Sequence, residues 1–105
     1  MRNAANVPLP ELLQATVKVI DRLLANRPTE LNQPDYTGNM SDEVTGVKGV
    51  RVFFYTDGNI PGHRQVSNLQ VNGPEPLLAA VVRWYASKGL KPWGRTQGHA
   101  VFPAS

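Results

Sequence analysis

The sequence predicts an α+β fold: a two-layer sandwich with two helices against one face of a small antiparallel sheet, ordered helix, strand, strand, helix, strand. Three patterns carry that reading. Residues 9–25 and 77–85 repeat apolar side chains at three- and four-residue steps, the period of a helix with one buried face. Residues 50–56 alternate with the two-residue period of a strand, and residues 64–71 and 98–102 are two further extended runs. At 105 residues the chain has the size of one domain, 1–105, with one core.

The first helix is drawn by Leu9, Leu12, Leu13, Val17, Ile20, Leu23 and Leu24. Pro10 suits its first turn, where a missing N–H costs nothing, and Glu11 faces the positive end of the dipole. Pro28 ends it by pushing Arg27 out of the helical region. Glu11, Gln14, Lys18, Asp21 and Arg22 fall off the apolar stripe and face water. Residues 29–46 are polar, broken by Pro34, Gly38 and Gly46, and read as a long mobile loop carrying at most a short edge strand.

In the strand over 50–56, Val50, Val52 and Phe54 point one way and Arg51, Phe53 and Tyr55 the other. Rings on both faces predict a central, covered strand. A Gly- and Pro-rimmed loop through Asp57, Gly58, Pro61 and Gly62 leads into the return strand. Its alternation breaks between Val66 and Leu69, which predicts a bulge. Gly73-Pro74-Glu75-Pro76 starts the second helix, whose apolar face is Leu77, Leu78, Val81, Val82, Trp84 and Tyr85. Lys88-Gly89 stops it, because glycine accepts the left-handed cap.

Charge is divided along the chain. Residues 1–47 hold four basic side chains against six acidic ones, whereas residues 48–105 hold seven against only Asp57 and Glu75. Both tryptophans, both histidines and all three phenylalanines lie in the basic part. Basic side chains interleaved with rings make a surface for a polyanion or an acidic protein face. Arg83, Lys88, Lys91, Trp93 and Arg95 fall within thirteen residues, and Arg64 is the further candidate contact. Arg grips phosphate or carboxylate in a two-pronged fork, and an exposed Trp among cations anchors an interface. Tyr85 reads as core; Trp84 suits either packing or contact.

Other chemistries find little support. The chain has no cysteine, so disulfides, thiol nucleophiles and Cys-based zinc sites are excluded. His63 and His99 have no acidic or histidine neighbour at metal-ligand spacing, and no phosphate-cradling or nucleophile-elbow motif occurs. No cofactor is expected. Asp42 and Glu43 read as a solvated loop pair. No apolar run approaches the length of a membrane span or a secretory leader, so a cytoplasmic chain without membrane contact is expected.

Locally, residues 83–102 resemble the central piece of HicA-type toxin ribonucleases: a helix ending at Gly89, then Arg95, then Gly98-His99 before a strand with Phe102. The resemblance implies a catalytic role for His99. It covers about twenty residues, and Gln97-Gly98-His99 replaces the Gly-Ser-His order of that family. The expected function is a small non-enzymatic binding or regulatory module for nucleic acid or an acidic protein, of a kind that suits a phage or mobile-element accessory or inhibitor. The alternatives are a self-associating assembly protein, pairing through strand edges and the 29–46 loop, and a metal-independent ribonuclease using His99 or His63.

Overall fold

The computed structural model describes residues 2–27, 46–56 and 66–103. Two helices and a four-stranded antiparallel sheet form the body of the fold. The first helix, α1 (Leu9–Ala25), has the bounds its periodicity predicts. Leu12 and Ile20 are buried, while Leu13, Leu23 and Leu24 pack half-buried against the core. The stripe is wider than the leucines drew it, because Thr16 and Val19 are buried too. Thr16 is tolerated there because its hydroxyl donates to the Leu12 carbonyl at 2.8 Å. Asn26 closes the helix, its side-chain amide donating to the Arg22 carbonyl at 2.9 Å. The expected loop at 29–46 lies outside the described residues apart from Gly46.

Ahead of α1, the two-residue strand β1 (Arg2–Asn3) pairs in parallel with β2 (Val47–Lys48). Arg2 also bridges to Glu11 at 2.5 Å, fastening the N-terminal segment to the first turn of α1. Next come β3 (Arg51–Thr56) and β4 (Val66–Asn72), an antiparallel pair. Tyr55 faces Asn68 and Thr56 faces Val66, so Ser67 is the extra residue of a bulge, where the broken alternation placed it. The expected connecting loop, with His63 and Arg64, lies outside the described residues.

The second helix, α2 (Glu75–Ser87), stops at Lys88-Gly89, and Gly89 takes φ +80°. The tail holds two strands where the sequence promised one. β5 (Gly94–Thr96) turns through Gln97-Gly98 into β6 (His99–Pro103). Gly98 takes φ +90°, a conformation that a side chain would strain.

The sheet order is β3-β4-β6-β5. This corrects one expectation. Among the described residues β3 is an edge strand, not a central one. The last strand, β6, is interior, between β4 and β5. Register explains the layers. Val52, Val71 and Ala100 form one row, and Phe54, Leu69 and Phe102 the next; both rows point at the helices. Leu77, Leu78, Val81 and Tyr85 of α2 close the core with Leu12, Val19 and Ile20 of α1. Phe53, on the opposite face, is only 2% exposed. Its burial shows that rings on both faces report coverage, not position in the sheet.

Tyr85 stacks on Phe102 with centroids 3.8 Å apart and meets the edge of Trp84 at 5.0 Å. Its hydroxyl is buried and makes no hydrogen bond. Burial, and then the Asp21 carboxylate, push its pKa well above the usual phenol range. A buried hydroxyl without a partner costs about 1–3 kcal/mol. Tyr85→Phe keeps the stack and removes that cost, so it should leave the urea midpoint unchanged or raise it. A drop of more than about 1 kcal/mol would mean the hydroxyl has a partner worth keeping.

Candidate functional site

Two arrangements of charged side chains stand out, one at each end of α2. The first is the connection leaving its C-terminus. Lys88 caps the helix, and its Nζ lies 4.6 Å from the centre of the half-buried Trp84 ring. Leu90, Lys91 and Trp93 follow, all exposed, and Trp93 is the most exposed large apolar side chain among the described residues at 60%. Its backbone is nevertheless fixed, since the Trp93 N–H donates to the Val101 carbonyl at 2.7 Å. The indole therefore projects from an ordered strand edge, with less backbone freedom to lose on contact.

Of the sequence-predicted contacts, Lys88, Lys91 and Trp93 share residues 88–93, and Arg83 is exposed on α2 just before them. Arg64 lies outside the described residues. Arg95 belongs elsewhere. Its guanidinium bonds to the Glu75 carboxylate, the Thr96 carbonyl and, at 3.3 Å, the His99 carbonyl. Glu75 also accepts from the Gly98 N–H at 2.8 Å, and the Gly98 carbonyl accepts from Gly73 N–H at 3.1 Å. Arg95 thus joins the β5–β6 turn to the start of α2.

Those bonds hold the Glu75 carboxyl below its ordinary value of 4.5, the Arg95 hydrogen bond first and the Gly98 N–H second. The Glu11 carboxyl is lowered in the same way by Arg2. A lowered folded value means that the stabilisation is present above the unfolded value and is lost as pH falls through the folded one. The Gly98 amide resonance should therefore titrate with an inflection below pH 4.5, and Glu75→Gln should remove it. An inflection at or above 4.5 would contradict this.

The second arrangement is at the N-terminal end of α2, on the sheet face away from the helices. Arg51, Asn72, His99 and Thr96 stand opposite one another in one row across four strands. His99 Nε2 lies 2.6 Å from Thr96 Oγ1. Lys48, Gly49, Arg51, Asn72, Gly73 and Gly98 line an open depression of about 450 Å³ beside this row. The sequence shows Arg51 off the core face but gives no sign that Asn72 or Lys48 will join it. Arg51 and Asn72 meet through strand register, while Lys48 comes from β2 in the separate two-stranded sheet.

His99 is half-buried, and His63 is outside the described residues, so no histidine pair stands in the geometry described. Among the described residues no cluster of three or more His, Asp or Glu side chains has the arrangement of a metal site, and no helix is long and apolar enough to cross a membrane. No family model, curated protein or solved structure matches the chain, and the local HicA-type resemblance has no wider match behind it.

Proposed function

We propose that this chain is a non-enzymatic binding module that takes an acidic partner on the surface formed by Arg83 and residues 88–93. The observation that carries the reading is Trp93: an indole 60% exposed, on an ordered backbone, with Lys91 two residues before it and Lys88 close in sequence. An apolar ring this open contributes nothing to the core and suits contact. Among acidic partners, single-stranded nucleic acid answers this chemistry best. Every base offers a face to stack on the indole, and the backbone brings phosphates to the lysines.

Titration of a labelled single-stranded oligonucleotide tests the reading. Binding should be saturable and should quench tryptophan fluorescence, and Trp93→Ala should weaken it about five- to a hundredfold, the range for loss of one stacked base. Absence of binding at low salt would overturn nucleic acid as the partner. Competition by an acidic polypeptide, with no response to oligonucleotide, would assign the surface to a protein.

A further inference from the structure

We infer that the Trp84 ring beneath Lys88 is a second stacking position for a single-stranded nucleic acid, opened when the Lys88 ammonium leaves the ring for a phosphate. The inference rests on the reading of the Trp93 surface given above. Trp84 is half-buried and packs against the core, and the buried Tyr85 ring meets it at 5.0 Å with an angle of 86° between the planes. Over the Trp84 ring lies the Lys88 ammonium, 4.6 Å from the centroid. Lys88 is exposed and follows Trp84 by four residues, so it covers the ring from the next turn of the same helix face. The ring is thus kept from water by a charge on a flexible stem, not by packed apolar side chains alone.

Magnitudes favour the exchange. An exposed cation–ring pair holds by a factor of about two to five, whereas one stacked base is worth about five- to a hundredfold. A base therefore displaces the ammonium, and the displaced charge is what the phosphate attached to that base needs. Position supports the same reading. Both tryptophans are anchored to neighbouring residues of β6: Trp84 through Tyr85, whose ring stacks on Phe102, and Trp93 through its N–H bond to the Val101 carbonyl. This common anchor keeps both indoles within reach of one short strand. Ser87 Oγ donates to the Trp84 carbonyl at 2.6 Å, which fixes the last turn of α2, so the Lys88 side chain is what has to move.

The test titrates the full chain with an oligothymidylate of about eight nucleotides and reads Trp84 in two ways. In the free chain the ring current of Trp84 holds the Lys88 side-chain proton resonances upfield, and saturating oligonucleotide should return them to ordinary lysine positions. The chain has two tryptophans, so Trp93→Phe keeps a ring for stacking and leaves Trp84 as the single indole. Oligonucleotide should then quench its emission and shield it from acrylamide. Trp84→Leu keeps an apolar side chain against the core; it should abolish the upfield shift of Lys88 in the free chain and weaken oligonucleotide binding about five- to a hundredfold, with circular dichroism unchanged. An oligonucleotide that shifts the Trp93 resonances while Lys88 stays upfield and Trp84 stays open to acrylamide overturns this inference and leaves the Trp93 reading standing. Absence of oligonucleotide binding at low salt overturns both.

Discussion

Phe102→Ala should be the most damaging single substitution in the described core, costing about 3–5 kcal/mol. Phe102 is fully buried in the interior strand β6, in register with Leu69 and Phe54, and Tyr85 of α2 stacks flat against it. Its removal leaves a cavity where the sheet meets α2 and deprives Tyr85 of its stacking partner. Against a typical total of about 5–15 kcal/mol, such a loss brings the chain close to unfolding at moderate temperature. Chemical denaturation followed by tryptophan fluorescence and far-ultraviolet circular dichroism measures it. A cost under about 1 kcal/mol would mean that α2 does not rest on β6 as described.

The largest functional effect should come from reversing charge beside Trp93. Lys88→Glu with Lys91→Glu replaces two attractive charges by two repulsive ones in the segment that carries Trp93; both side chains are exposed, and the one contact given up is that of Lys88 with the face of Trp84. Affinity for a single-stranded oligonucleotide at low salt should fall by at least about a hundredfold, since each phosphate-contacting cation carries a substantial share of such binding. The folding midpoint should stay within about 0.5 kcal/mol, as for surface changes generally. Reversal of Arg95 is a poor substitute, because it would also break the link from the β5–β6 turn to Glu75.

The division between what was legible in the sequence and what was not follows the range of the interactions. α1, α2, β3, β6 and the bulge at Ser67 arise from local periodicity and turn chemistry, and each stands where those patterns put it. β5 was invisible because Gly94, Arg95 and Thr96 include no apolar side chain; three exposed residues become a strand only by pairing with β6. The position of β3 was misread because Phe53 is buried on the outer face although the strand lies at the edge.

Site residues divide in the same way. Lys88, Lys91 and Trp93 are neighbours in sequence and all three are exposed. Arg95 looked equivalent to them by composition, but Glu75, twenty residues earlier, claims it. Arg51 and Asn72 meet through the β3–β4 register, and Lys48 reaches the same depression from β2, three residues before Arg51.

The most direct test of the binding reading is the salt dependence of oligonucleotide affinity, measured for the unaltered chain and for Lys88→Gln with Lys91→Gln. A surface that neutralises phosphates releases their counterions, so log affinity should fall linearly with log salt concentration. Removing both cations should flatten that line by about one unit per side chain. A complex indifferent to salt, or a slope that survives the double substitution, would contradict the account.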